Sequence, residues 1–227
     1  MPGVVTPGPY LVAVAVVVAA GVTLCTCARL RPGRWTIVAA RVLALVLLAD
    51  GLSFVTAKAV AGTFSAKTDL PLALCDAALV VAAAACWWRT PVLVELTWFW
   101  GLAGTLQAVV TPDLSAGFPH LVFIQYLAGH LVIVLAAVYL VVGLRIAPRR
   151  GTVVTTFAIT VAYSALVGLV DALSGANYMF LRRPPGNWTL LRVLGPWPWY
   201  IPNAAGVALV LIGILDLPFW LARRHDG

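Results

Sequence analysis

Charged residues are scarce in this 227-residue chain: Asp, Glu, Lys and Arg together make up 10% of it, whereas 62% of the residues are hydrophobic. The mean hydropathy is correspondingly high, at +0.99. Soluble domains carry about 25% charged residues, because their surfaces face water. The scarcity of charge therefore excludes a soluble domain and indicates an integral membrane protein.

Acidic residues are scarcer than basic ones, with 8 Asp and Glu against 15 Lys and Arg, so the net charge is +7. Excess basic charge in a membrane protein follows its topology and attracts anionic lipid. We therefore expect no nucleic-acid partner.

Cysteine is also rare, with 4 residues. Cys25 and Cys27 are two residues apart, about 200° around a helix, so they are badly placed to hold one metal ion together. The chain contains no zinc, nucleotide or haem motif. We therefore expect no cofactor.

Seven hydrophobic runs approach the length needed to cross a bilayer core of about 30 Å, which takes roughly 20 helical residues. They lie at Tyr10 to Ala28, Trp35 to Val60, Leu70 to Trp88, Val92 to Val110, Pro119 to Leu144, Val153 to Ser174 and Ile201 to Ala222. The fourth and seventh are less clean, since Glu95 and Asp216 lie near their ends, and six spans is the alternative. The pattern predicts an all-α polytopic membrane helical bundle of about seven transmembrane helices, in a single integral membrane domain over residues 1–227.

Basic residues in the short connections set the expected orientation, because they favour the cytoplasmic side. With the N-terminus outside, nine lie inside: Arg29, Arg31, Arg34, Arg89, Arg145, Arg149, Arg150, Arg223 and Arg224. Five lie outside: Lys58, Lys67, Arg182, Arg183 and Arg192. This distribution predicts an N-out, C-in topology. The first run is too long for a signal-peptide core and no basic residue precedes it, so we interpret it as a retained helix.

Polar side chains within the hydrocarbon are costly, so they usually face a bundle interior or a cavity. Ten such residues fall at mid-depth or in the outer half of the predicted bundle: Asp50, Cys75, Asp76, Gln107, Thr111, Gln125, His130, Asp171, Ser174 and Asn177. One stripe at helical spacing holds Gly104, Gln107 and Thr111; another holds Tyr163, Val167, Asp171, Ser174 and Tyr178. We expect these stripes to converge on an outward-opening polar pocket.

Cys75, His130 and an aspartate are the three types of group that activate a thiol: the nucleophile, its base and a partner that orients the base. Each also has a structural interpretation, since a buried cysteine is often a small hydrophobe and an aspartate often pairs with a basic residue. Cys75 lies one to two turns below the outer surface and His130 about three. The two meet only if the third helix begins before Leu70 or the fifth is displaced.

Several stretches resemble the YwaF-like integral membrane family, to whose wider group eukaryotic transmembrane protein 164 belongs. They are LPLALCDAALV, ELTWFWGLAGTLQAVVTPDL, FPHLVFIQYLAGHLVIV, and NYMFLRRPP followed by LLRVLGPWPWY. The resemblance covers about Leu70 to Tyr200. It implies a membrane acyltransferase that acts on phospholipids through a cysteine, and we expect this chain in the plasma membrane of a bacterium.

The resemblance implies that the nucleophile is Cys75 of LPLALC and the base His130 of LAGH. The orienting aspartate stays open between Asp50 and Asp171. Asp113 of TPDL and Asn177 of NYMFL match the family pattern, and either catalysis or loop capping accounts for them.

We therefore expect a lipid acyltransferase or acyl-lipid hydrolase at the outer leaflet, with membrane phospholipids and lysophospholipids as its partners. Candidate donors to the oxyanion are Gln107, Gln125 and Asn177, and further candidate substrate contacts are Thr111, Tyr178, Arg182 and Arg183, the two arginines holding the phosphate. The alternatives are a transporter or channel and a lipid-binding protein without turnover. A transport path should continue inward, where Arg41 and Glu95 are nearly the only polar groups.

Overall fold

The computed structural model describes residues 7–112, 117–184 and 190–225. Within these ranges every regular element is helical, as the composition predicts. The long helices are α1 (Pro7–Leu30), α2 (Arg34–Val60), α3 (Leu74–Trp88), α4 (Pro91–Val110), α5 (Leu121–Gly143), α6 (Thr152–Ser174) and α7 (Tyr200–His225). Shorter helical turns lie at Tyr178–Phe180 and Leu190–Val193.

Six of these helices are long and apolar enough to cross a membrane, and α3 is the exception. The two runs that the sequence made doubtful, α4 and α7, both reach spanning length. Their carboxylates are paired: Glu95 with Arg149 at 2.8 Å and Asp216 with Arg223 at 2.9 Å. Pairing lowers the cost of an acidic group at the end of a membrane helix.

Helix α3 has 15 residues and is therefore about 22 Å long. It begins at Leu74, four residues later than the predicted start of the third run. Backbone groups before it bond to tyrosine side chains instead: the Leu70 N–H donates to the Tyr178 hydroxyl at 2.9 Å, and the Tyr163 hydroxyl donates to the Leu72 carbonyl at 3.0 Å. These bonds fix the segment before the helix, which is bent at Leu70, Pro71 and Ala73.

The first turn of α3 is closed by its own aspartate. Asp76 Oδ2 accepts a hydrogen bond of 3.1 Å from the N–H of Ala73, the residue before the helix. A carboxylate in this position satisfies a backbone donor and interacts favourably with the helix dipole. Pro71, the second residue of the predicted third run, lies outside the helix.

Contacts between neighbouring helices give their directions. Helices α2 and α3 are antiparallel, because the Arg41 guanidinium lies 5.2 Å from the Trp87 ring centroid and Gly51 lies against Leu79. Helices α4 and α5 are antiparallel too, since Gly101 lies against Ala137 near one end and the Tyr126 hydroxyl donates to the Ala108 carbonyl near the other.

Helix α6 runs in the same direction as α4, since Arg149, just before α6, bonds to Glu95 and Thr160 accepts from Trp100 Nε1 at 2.8 Å. Helix α1 similarly runs parallel to α5, with Gly21 against Leu135 and Arg29 bonded to the Val142 carbonyl. With the short α3 included, successive helices alternate in direction. In the predicted N-out topology, the outer end of the bundle is the end at which α1 begins, and α7 ends at the other.

Helix α3 lies at the centre of the core and contacts α2, α4 and α5. Its buried face consists of small residues: Ala78, Ala82, Ala83, Ala85 and Cys86. Small side chains let membrane helices approach closely, which favours van der Waals packing. Larger buried side chains such as Leu47, Phe99 and Tyr139 surround it.

Candidate functional site

Cys75 lies in the first turn of α3 and is half-buried. Its sulfur contacts the backbone N–H groups of Cys75 and Asp76, and the ring of Tyr163 from α6 is close to it. Unpaired N–H groups at a helix start carry the positive end of the dipole and favour a thiolate. The segment before the helix and the cap that Asp76 provides fix this turn.

His130 lies in α5, where its ring stacks on Tyr126 with the centroids 4.2 Å apart. Its Nδ1 is 2.6 Å from the Tyr126 carbonyl oxygen. A carbonyl accepts hydrogen bonds and cannot donate them, so Nδ1 carries the hydrogen of the neutral ring and Nε2 keeps its lone pair. The backbone of Tyr126 therefore orients the imidazole and leaves Nε2 as a base.

Cys75 and His130 are on helices that pack together, at different depths. A Cβ on Gly129 would lie 3.8 Å from a methyl carbon of Leu79, which is one turn further along α3 than Cys75. His130 is therefore deeper than the thiol by about 6 Å along the helix axes. Among the described hydrogen bonds of His130, the partner is Tyr126. The catalytic pair stays a prediction.

The two candidate aspartates occupy different places. Asp50 of α2 packs on α5 against Gly129, since a Cβ on that glycine would lie 2.6 Å from Asp50 Oδ2. Asp171 is fully buried at the outer end of α6, and its Oδ1 accepts from the Tyr178 N–H at 2.9 Å. Asp171 thus holds the turn after α6, and Asp50 contacts the residue that precedes the histidine.

The amide side chains expected to bind substrate are engaged elsewhere. Gln125 is buried and donates to the Ser53 hydroxyl of α2 at 2.7 Å. Asn177 Oδ1 accepts from the N–H groups of Arg182 and Arg183 at 3.0 and 3.1 Å, and its Nδ2 donates to the Arg183 carbonyl. Asn177 had two interpretations, catalysis and loop capping, and its hydrogen bonds are those of a loop cap.

The outer ends of α4 and of the turn after α6 carry the other candidates. Gln107 and Thr111 are exposed, and the Thr111 hydroxyl donates to the Gln107 carbonyl at 2.9 Å. Tyr178 is buried, with its hydroxyl donating to the Ala66 carbonyl. Its role in the structure is to hold the loop before α3. Asp113 lies outside the described residues.

Arg182 and Arg183 are exposed and line a small cavity of about 150 Å³ together with Gly175 and Ala176. Arg182 Nη1 is 3.4 Å from the Asp171 carbonyl and 3.3 Å from that of Ala176. Two guanidinium groups beside an open cavity are suited to an anionic headgroup.

Two residues with direct roles at this site were missed from the sequence. Tyr126 supplies the carbonyl that orients His130, and Tyr163 holds the segment before Cys75. The spacing of four between Tyr126 and His130 is the signal for the first, because such residues are neighbours on one helix face. Tyr163 belongs to the predicted polar stripe of α6, although its partner on the α2–α3 loop follows only from the fold.

The model of the TMEM164 family matches residues 6–216 of this chain. An uncharacterized protein of Treponema pallidum (strain Nichols) is 28% identical to it over 155 residues, which are 67% of this chain and 63% of the relative. The chain thus spans less than two thirds of that relative's length. No solved structure matches the chain. With its helical bundle and its match over residues 6–216, this integral membrane protein belongs to the TMEM164 family.

Proposed function

We propose that the protein transfers acyl groups between membrane lipids, with Cys75 as the nucleophile and His130 as the base. The observation that carries the proposal is the position of the thiol. It lies in the capped, half-buried first turn of a helix that packs on the helix of His130. In this proposal the N–H groups at the helix start favour the thiolate, and a base on the adjacent helix takes its proton.

The neutral tautomer of His130 supports its role as the base. Because Nδ1 donates to the Tyr126 carbonyl, the Nε2 lone pair is available for a proton. Catalytic hydrogen bonds are often long in a substrate-free enzyme and shorten when substrate binds. Because the axial offset between Cys75 and His130 is larger than a hydrogen bond, the proposal transfers the proton through one bridging water.

The reaction proceeds in two acyl-transfer steps. The Cys75 proton moves to His130 Nε2, the thiolate attacks the ester carbonyl carbon of a phospholipid, and a tetrahedral oxyanion forms. The oxyanion collapses, the carbon–oxygen bond breaks, and the departing lysolipid oxygen takes the proton from His130. In the second step a lysolipid hydroxyl gives its proton to His130 and attacks the thioester, and the released Cys75 thiolate takes that proton back from His130. Water in place of the hydroxyl gives hydrolysis.

Arg182 and Arg183 provide the headgroup contact in this proposal. Both lie at the outer end, in the turn that Asp171 and Asn177 fix, and both are exposed. A phosphate held there would leave the ester bonds of the lipid a few ångströms deeper, on the side of the thiol.

The test is to trap the acyl-enzyme. Purified protein is incubated with a phospholipid that carries a radiolabelled acyl chain, quenched in acid, and treated with hydroxylamine at neutral pH, which cleaves thioesters. The parent should release label and Cys75→Ser should not. Cys27→Ser is the matched control, because Cys27 is exposed on α1. Equal label on the parent and on Cys75→Ser, or full lipid turnover by that variant, would overturn the proposal and favour a lipid-binding or transport function.

A further inference from the structure

Helix α4 changes its winding in the middle. Residues Trp100–Thr105 form a π-helical turn between the α-helical parts Pro91–Phe99 and Leu106–Val110. Such turns are rare and frequently occur at functional sites. This one contains Gly101 and Gly104, and it ends at Thr105.

The hydroxyl of Thr105 is buried and unpaired. The residue is 3% exposed, and its Oγ1 has no hydrogen-bond partner among the described residues. Two other threonines in these helices donate to the carbonyl four residues earlier: Thr97 to Leu93 at 2.7 Å and Thr160 to Thr156 at 2.8 Å. An apolar interior makes an unpaired hydroxyl costly, so its retention calls for an explanation.

The register of the helices gives the depth of Thr105 relative to α5. Gly101 lies against Ile133 and Ala137 of α5, and Ala108 accepts from Tyr126 of the same helix. Thr105, between these contacts on α4, therefore falls opposite the turn of α5 that contains His130.

Gly104, the residue before Thr105, lies against α3. A Cβ on Gly104 would be 3.2 Å from a methyl carbon of Leu74, the residue immediately before Cys75. Within the part of the chain that the structure describes, Thr105 Oγ1 is the unpaired buried hydroxyl at the meeting of α3, α4 and α5.

We infer that the Thr105 hydroxyl binds the carbonyl oxygen of the acyl ester and donates to the oxyanion that forms when Cys75 attacks. This inference rests on the proposed acyl transfer. Gln125 and Asn177, which the sequence offered as donors, are bonded to other partners, and Gln107 is exposed. Since Thr105 Oγ1 is closed to solvent, the lipid would enter between α3 and α4, where Leu74 covers Gly104.

The test separates a catalytic hydroxyl from a packing side chain. Thr105→Val has nearly the same shape without the hydroxyl, Thr105→Ser retains it, and Thr97→Val is the matched control. Thr97 is fully buried in the same helix, and its hydroxyl is committed to a backbone carbonyl. Each protein is reconstituted in vesicles of phosphatidylethanolamine and phosphatidylglycerol with radiolabelled acyl chains and lysophosphatidylethanolamine as the acceptor, and kcat, KM and the thermal midpoint are measured.

Thr105→Val should lower kcat by about 100-fold, the loss typical of one oxyanion donor, while its thermal midpoint stays unchanged or rises because no bond is lost. Thr105→Ser should restore most of the activity. Thr97→Val should keep the parent kcat and lower the midpoint. Unchanged kcat in Thr105→Val beside an inactive Cys75→Ser would overturn the inference and leave the proposed function standing. An active Cys75→Ser would overturn both. A lower midpoint in Thr105→Val, without rescue by Thr105→Ser, would make the side chain structural and also overturn the inference.

Discussion

The carboxylate of Asp50 and the backbone of Gly129 are in direct contact: a Cβ on Gly129 would lie 2.6 Å from Asp50 Oδ2. Only a residue without a side chain lets α2 bring its aspartate this close to α5. The contact is also adjacent to His130 in sequence. It therefore couples the packing of two helices to the surroundings of the proposed base.

Gly129→Ala should destabilise the protein by about 1–3 kcal/mol, because the new methyl group must displace the Asp50 carboxylate. Alanine is otherwise the better helix former by about 1 kcal/mol. Gly213→Ala is the control, since a Cβ there meets nothing within 4 Å. Thermal unfolding in detergent measures both variants.

A double mutant tests whether Asp50 is the cause. In an Asp50→Ala background, Gly129→Ala should be neutral or stabilising, because the obstructing carboxylate is gone and neighbouring sites are coupled. A loss of stability that is the same in both backgrounds would show that another contact accounts for the requirement for glycine.

Asp76 and Cys75 are neighbours with separate roles. Because Asp76 Oδ2 accepts from the Ala73 N–H, Asp76→Ala should cost about 1 kcal/mol, the usual value of a lost cap, and Asp76→Asn less. Cys75→Ser should fold and insert like the parent. Unfolding midpoints in detergent would reveal the difference. If Asp76→Ala unfolds like the parent, the cap contributes nothing measurable to the start of α3.

The hydrophobic pattern was sufficient to predict the long helices. The bilayer sets the length of a spanning segment, and a chain in hydrocarbon has few alternatives to a helix. It misplaced the start of α3, since the Leu70 and Leu72 backbone groups are bound by Tyr178 and Tyr163. Those partners are some 90 to 110 residues away in sequence. A hydrophobic pattern over a short stretch of sequence cannot predict hydrogen bonds between residues so far apart.

The sequence predicted only part of the candidate site, because the winding of α4 departs from that of a regular α-helix. The stripe of Gly104, Gln107 and Thr111 assumed 3.6 residues per turn, but a π turn precedes Gln107 and holds more residues, so the face that follows is rotated. Gln107 and Thr111 are accordingly exposed. Thr105 was not singled out, because the sequence gives no sign that its hydroxyl lacks the usual bond within the helix.

The loop between α2 and α3 carries a pH-dependent contact. Asp69 lies 3.3 Å from Lys58 and accepts from the Ser65 N–H at 2.9 Å. Burial opposes its ionisation, but the hydrogen bond from Ser65 and the charge of Lys58 outweigh burial, so the pKa of Asp69 lies below its usual value. A carboxyl group with a lowered pKa in the folded state stabilises that state above its unfolded pKa and loses this effect as the pH falls.

Asp69→Asn should therefore be less stable than the parent at pH 7, and the difference should shrink as the pH falls below the ordinary carboxyl pKa of 3.8. Unfolding midpoints of both proteins between pH 3 and 7 measure it. Thr68→Ala removes a hydrogen bond to Asp69 but keeps its charge, so this variant separates the two contributions. A difference that stays constant down to pH 3 would mean that the charge of Asp69 has no part in holding the loop.

The short helix α3 is expected to cross the membrane although it is about 22 Å long, because its contacts make it antiparallel to α2 and α4. Single cysteines at Thr63, before α3, and at Thr90, after it, should then be labelled from opposite sides in a cysteine-free background. The predicted N-out topology places Thr63 outside, so an impermeant maleimide added to intact cells should label Thr63→Cys and spare Thr90→Cys until the membrane is opened.

Labelling of Thr90→Cys alone would invert the topology and move Cys75 to the cytoplasmic leaflet. Labelling of both from one side would make α3 a re-entrant helix, and the bundle would then have six spans.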